Sequence, residues 1–420
     1  MNLKQSSNAL RAFLCTCLLH LPSALAAAES GATLASEFET LEELPVESVL
    51  PASFLHSAHY SIDAKVQAKD NFYHFMVRTD DANYAVTSLA MLRVRLYEIS
   101  TSAEMEPRLL AARADFSRSP GGRRGVGSEH VVDILADPIG TASQLLGNIQ
   151  YNVEQTFIER DAEVSTRVRG SREQDLNPGP HKRSAAAQLG VDVYTSNARL
   201  QRILNAVGEA LSAGERSSSF SPFLRNAFAA NAFGSGVLNL RLDSRLKNTG
   251  SQDLHAEIDA TLRELKVPPR VRIAFLTHPA FTPRTRLYFT TFVTLLAPTK
   301  QLDLLFAAAT AAQTEADALA YVAYARMLAH YHVHGGNLVE VVTEARFPTV
   351  ATGDGNAVLA LPLDYLAWTA AVSGAADALR EIRESRGLER FVVLLTGSPT
   401  EQTTAQLLKR KIDIRAGYSF

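Results

Sequence analysis

The stretch FVVLLTGSPTEQTTAQLLKRKIDIRAGYSF (residues 391–420) decides the fold class. Phe391 to Leu395 is a short apolar run of β-formers, and it breaks at Thr396-Gly397-Ser398-Pro399. Ser398 as N-cap, Pro399 at the first helical position and Glu401 at the third read as a capping box, so a helix is expected over Pro399 to Lys409. Beyond it, Ile412, Ile414, Ala416, Tyr418 and Phe420 fall on every second position, the period of a strand. One segment thus holds strand, helix and strand, and the chain belongs with folds that mix the two.

Working back from there, Phe347 to Val350 and Val358 to Leu363 flank Gly353-Asp354-Gly355-Asn356, which has the turn chemistry of a hairpin. An alanine-rich helix is expected from Glu315 to about His334, and another from about Ala367 to Ser385. Leu287 to Ala312 is the most apolar region, but Pro298, Lys300 and Asp303 interrupt it and neither half can span a bilayer. It reads as buried core. Leu200, Ile203, Leu204, Val207 and Leu211 mark a helix ending near Gly214. Thr166 to Arg183 reads as a flexible connector, and Ser217 to Pro222 breaks the chain again.

Near the N-terminus the pattern changes to alternation. Tyr60, Ile62, Ala64 and Val66 keep one side, and Phe72 to Val77 pairs with Tyr84 to Val86 across Thr79 to Asn83. A helical stripe follows at Leu89, Leu92, Leu96 and Ile99. Residues 117–129 form a Gly- and Arg-rich loop. Val131 to Ile149 is helical in spacing, interrupted by Pro138; with only Asp133 and Asp137 as charges it reads as a packed helix rather than a membrane-surface one.

Lys4 and Arg11, the apolar Ala12 to Leu21 and the small residues Ser23-Ala24-Leu25-Ala26 follow the order of a secretory signal peptide. Cleavage after Ala26, or two residues later, removes Cys15 and Cys17. The mature chain then holds no cysteine, which excludes disulfides, thiolate nucleophiles and cysteine-metal sites. It also carries 40 Lys and Arg (42 less Lys4 and Arg11) against 44 Asp and Glu, a net charge of −4. No nucleic acid partner is expected on that balance. At 420 residues and 46% hydrophobic composition the chain can bury a large core. The expected organisation is a signal peptide over 1–26, an acidic flexible leader over 27–50 and a strand-strand-helix module over 51–116. A helical region over 130–310, with linkers near 166–183 and 215–222, and a C-terminal α/β region over 311–420 complete it. The leader is rich in Glu and free of Lys and Arg, so it is mobile or laid on a surface.

Few constellations suggest chemistry. His330, His332 and His334 are the strongest metal candidate, because imidazoles at i and i+4 share a helix face and those at i, i+2, i+4 share a strand face. HExxH is absent, and Glu340 or Glu344 would have to fold back. The competing reading is a helix end closed by Gly335-Gly336, with imidazolium facing the dipole. The turn before the last helix could present backbone N–H groups to an anion, but it lacks a phosphate-loop pattern. No GxSxG elbow occurs. His278, Ser398 and Asp364 could be drawn as a triad, though nothing in their spacing is specific. Gly234-Ser235-Gly236 reads as a helix stop, and Gly353 to Asn356 lacks the acids of a calcium loop.

The alternating tail is similar to the closing strand of outer-membrane β-barrels, but a barrel needs many alternating strands of about ten residues. An ordinary last strand beside Phe391 to Leu395 is expected instead. Across most of the mature chain, and most clearly at Leu189-Gly190-Val191-Asp192-Val193-Tyr194-Thr195-Ser196-Asn197, the sequence resembles a family of exported bacterial proteins of unassigned function. The segments Leu361 to Trp368 and Leu395 to Ser398 are similar to it as well. The resemblance implies no activity and no site residues. Physically, Gly190 suits a helix stop and Thr195, Ser196 or Asn197 the cap of the next helix, a helix-loop-helix joint.

The fold class expected is therefore α+β, mostly helical, with small antiparallel β elements near the N-terminus and a strand-helix-strand C-terminal unit. The function expected is a non-catalytic cell-envelope protein of the periplasm, acting by binding or scaffolding on an envelope partner, with no integral membrane span and with peripheral membrane contact left open. No catalytic, cofactor-binding or metal residues are assigned, and no cofactor. The alternatives are a periplasmic enzyme with a dispersed or His-based metal site, and an outer-membrane-associated protein.

Overall fold

Alternation and helical spacing build two five-stranded sheets, one two-stranded sheet and a set of helices in a computed structural model that describes residues 37–40, 43–118, 177–213 and 237–420. The signal peptide, the loop residues 119–129, the segment Val131 to Ile149, the break at 215–222 and Gly234 to Gly236 lie outside the described residues. Described helices dominate, with an antiparallel sheet near the N-terminus and a mixed sheet at the C-terminus, so the fold is α+β and mostly helical.

The first sheet holds β1 (Glu43–Pro45), β2 (Ser61–Ile62), β3 (Lys65–Lys69), β4 (Phe72–Arg78) and β5 (Asn83–Thr87). Its order is β1-β3-β4-β2, with β5 also on β4, and all pairs are antiparallel. Asp70 and Asn71 join β3 to β4 at φ 54° and 65°, the two left-handed positions that a tight hairpin requires. The single strand expected through Tyr60, Ile62, Ala64 and Val66 is divided. Ala64 is exposed, and its carbonyl accepts from Val46 N at 2.9 Å, which turns the chain between β2 and β3.

From this sheet α1 (Leu89–Arg118) leads off. Leu92, Leu96 and Ile99 are buried along the expected stripe. Next come α2 (Pro180–Leu189) and α3 (Ala198–Ala213), then α4 (Val237–Asn248), α5 (Ser251–Glu264) and α6 (Pro269–Leu276). The helical layer closes with α7 (Pro283–Thr294), α8 (Asp303–Ala309) and α9 (Glu315–Tyr331). Leu287 to Ala312 is core, with Phe289, Val293, Leu296, Leu305 and Phe306 fully buried. Among the described residues no helix is long and apolar enough to cross a membrane.

The second sheet runs β12-β10-β8-β7-β6, built from β6 (Leu338–Val341), β7 (Val350–Thr352), β8 (Ala357–Leu361), β10 (Phe391–Leu395) and β12 (Ile412–Arg415). β7 and β8 form the expected hairpin, while β8, β10 and β12 are parallel. The crossovers are α10 (Ala370–Arg386) and α11 (Glu401–Lys409). All five residues of β10 are buried, as suits a central parallel strand covered on both faces. The alternating tail lies beside β10 as the edge strand over Ile412–Arg415 only, because the chain turns at Ala416 and Gly417, the latter at φ 61°; Asp413 and Arg415 place charge along that edge, which discourages further pairing.

Several boundaries differ from the sequence reading. The last helix starts at Glu401, capped by Thr400, whose Oγ1 accepts from Thr403 N. Ser398 and Pro399 form β11, paired in parallel with β9 (Tyr365–Leu366), so this pairing displaces the cap by two residues. The connector expected to reach Arg183 is already helical at Pro180, where proline's fixed φ suits the first turn. The acidic leader is laid on the fold over its described part. β1 pairs with β3, and Glu39 Oε2 accepts from Trp368 N and Thr400 Oγ1, both at 2.6 Å.

Candidate functional site

Two polar convergences join segments distant in sequence. The first lies under the LGVDVYTSN joint. Gly190 ends α2 at φ 67°, a left-handed position that favours glycine, and Asn197 caps α3 by accepting from Arg199 N and Leu200 N at 3.1 and 3.2 Å. Between these caps the chain turns over α1. Tyr97 Oη donates to Leu189 O at 2.8 Å, and Thr195 Oγ1 donates to Glu98 Oε1 at 2.7 Å. Glu98 also accepts from Arg95 Nη1 at 3.0 Å, with both side chains almost fully buried. Gln201 Nε2 donates to the carbonyls of Val193 and Thr195.

Asp192 occupies the same enclosure. Its Oδ1 accepts from Tyr194 N at 2.9 Å, while its Oδ2 is buried with no hydrogen-bond partner. Burial pushes its carboxyl up to about 6, against the pull of Arg284 and the Tyr194 N–H and with the help of Glu98 and Asp243. Burial likewise raises Glu98, opposed by Arg95, Thr195 and Asn197. On the far side Arg284 Nη2 and Tyr288 Oη both donate to Asp243 Oδ1, at 3.0 and 2.7 Å.

The second convergence sits at the carboxyl ends of the parallel strands β8 and β10, the edge at which open α/β sheets place ligands. Asp364 follows β8, and its carboxylate accepts from Tyr73 N at 3.0 Å and from Leu89 N, the first residue of α1. Its own N–H donates to Asn71 O at 3.1 Å, and its carbonyl accepts from Ser398 N at 3.4 Å. Burial pushes the Asp364 carboxyl up to about 7 despite these N–H groups and Arg93, although part of its surface still meets solvent. Tyr73 stacks on Tyr365 beside it, with ring centroids 5.1 Å apart. A Cβ on Gly397 would overlap the Asp364 carbonyl and lie 2.7 Å from Leu363 O, so the β10 turn approaches the β8 turn backbone to backbone.

Ser398 and Asp364 are thus neighbours, but His278 is committed elsewhere. Its Nε2 donates to Thr310 O at 3.1 Å and its Nδ1 accepts from Ala280 N at 3.3 Å. With the lone pair and the N–H both engaged by backbone, this imidazole is not the base of a triad. The Gly353 to Asn356 turn closes on itself, with Asp354 bonded by Thr352 Oγ1 and Asn356 Nδ2. Among the described residues no group of three or more His, Cys, Asp and Glu converges as a metal site. Arg95 and Glu98 were missed in the sequence. Their signal was present, since both charges interrupt the apolar face of Leu92, Leu96 and Ile99.

The carboxylates of the first convergence give a pH prediction. A folded pKa raised above the unfolded one makes a contribution that is full below the unfolded value and lost as pH rises through the folded value. For Asp192 the window runs from 3.8 to about 6, which corresponds to ~3 kcal/mol. D192N keeps the acceptor for Tyr194 N and removes the titration. Its stability relative to the unsubstituted protein should therefore rise by that order between pH 4 and pH 6.5, read from urea midpoints. A difference independent of pH would contradict this assignment.

Compared with family models, curated proteins and solved structures, the chain matches none.

Proposed function

We propose that this is an exported protein of the bacterial cell envelope, held in the periplasm, which acts by binding or scaffolding rather than by catalysis, and that it belongs with the exported proteins sharing the LGVDxYTxN segment. The observation that carries the non-catalytic part is the commitment of His278 to two backbone partners, so that it supplies no base to Ser398 and Asp364. The two polar convergences are fastenings: Glu98 ties α1 to the joint of α2 and α3, and Asp364 ties the first sheet to the second. Export is supported by the charged, apolar and small-residue order of residues 1–26.

Cell fractionation with N-terminal sequencing tests the reading. The expected product begins after Ala26 or Ala28 and is released by osmotic shock. Retention of the leader on a cytosolic product would refute export. Recovery in the outer-membrane pellet, lost on deleting the last ten residues, would favour the alternative drawn from the alternating tail.

A further inference from the structure

His330 lies in the last turn of α9, while His332 and His334 fall in the π-helical turn His332–Gly336 that replaces the helix expected to reach His334, and the structure separates His332 from the other two. His332 Nδ1 accepts from Leu338 N at 2.9 Å, so its proton sits on Nε2 and its lone pair is engaged. His334 is the opposite case. Its Nδ1 lies 2.8 Å from His330 O, and since a carbonyl only accepts, this nitrogen carries the proton and the Nε2 lone pair is free. A metal-ligating imidazole is characteristically held in this state, with its second nitrogen donating to a carbonyl or similar group. His330 Nδ1 lies 2.8 Å from Tyr418 Oη, a partner able to accept the same proton. Neither Nε2 is bonded to another described residue. The two rings lie 4.1 Å apart between centroids, tilted by 36°, with His334 exposed and His330 partly so.

The geometry points to a two-histidine site for a divalent transition metal, formed by His330 and His334, with Tyr418 as the positioning residue for His330. The metal class follows from the ligands. Imidazole nitrogen without carboxylate disfavours Mg2+ and Ca2+ and suits Cu2+, Ni2+ and Zn2+, of which Cu2+ binds most tightly. Arg326 lies one turn before His330 and its guanidinium stacks over Phe420 at 5.0 Å and Phe292 at 5.9 Å. Its charge opposes any cation here, so binding is micromolar rather than tight, and water fills the remaining coordination positions. The site shares none of its side chains with the two polar convergences, so it stands whether or not the envelope reading holds.

The test is a titration of the untagged, chelator-treated protein with Cu2+ and then Zn2+ at pH 7.5, in competition with a colorimetric chelator. One equivalent of Cu2+ is expected. H330A and H334A should each weaken binding at least tenfold and H332A should leave it within about twofold, while Y418F should lose roughly tenfold by releasing the His330 proton partner. Circular dichroism checks that each variant is folded, and H334N serves if H334A is not. Equal binding by the unsubstituted protein and the H330A/H334A double variant would overturn the site, as would a loss in H332A matching that in H334A, or no binding at all. A Cu2+ resonance spectrum with two-nitrogen coupling, reduced to one in H334A, is the expected signature.

Discussion

E98A is expected to destabilise the protein by about 3–5 kcal/mol, the range for breaking a buried ion pair by removing one partner. Glu98 and Arg95 are 1% and 3% exposed. Without the carboxylate, the Arg95 guanidinium stays buried, stacked over the Tyr84 ring at 5.4 Å. The Thr195 hydroxyl loses its acceptor as well, so the joint of α2 and α3 loosens from α1. E98Q keeps an oxygen for Thr195 and should lose less than half as much. Urea unfolding at pH 7.5 reads both, and an E98A loss below about 1 kcal/mol would mean that the network contributes little to stability.

The second large effect concerns two glycines of opposite character. G397A drives a methyl group into the Asp364 backbone, a collision between main chains that no rotamer relieves. It should cost about 3 kcal/mol or more, at the upper end of overpacking. Asp364 is held on its other side by Asn71, Tyr73 and Leu89, so the displacement carries into the contact between the two sheets. Gly374 is exposed within α10, and a Cβ there meets nothing within 4 Å. G374A should stabilise by roughly 0.5–1 kcal/mol through helix propensity and a less free unfolded chain. Equal effects at the two positions would remove the argument for backbone approach at Gly397.

The site was legible in parts, for reasons that differ by residue. Gly190 was readable as a stop and Thr195, Ser196 or Asn197 as the cap, because those roles depend on local backbone geometry, and the structure selects Asn197. Thr400 was not, since Ser398-Pro399 satisfies the same cap pattern until its pairing with Tyr365-Leu366 removes it from the helix. His278 invited a triad because spacing says nothing of Thr310 O, thirty-two residues away. The three histidines looked equivalent along the chain, and only Leu338 N and His330 O tell the tautomers of His332 and His334 apart.

By itself the sequence determined the kinds of element and their faces. Period two and period 3.6 burial are properties of neighbouring residues, so β4 and β5, the stripe of α1, α3, the hairpin of β7 and β8 and the start of the last strand could be read from it, whereas β1 and the break between β2 and β3 could not. Only the tertiary structure decided which of these meet. The approach of Gly397 to Asp364, the seat of Glu98 beneath Thr195 and the resting of Glu39 on Thr400 join residues 33 (397 less 364), 97 and 361 positions apart. Such pairings arise from burying shared apolar surface across the whole chain, and that surface carries no local mark.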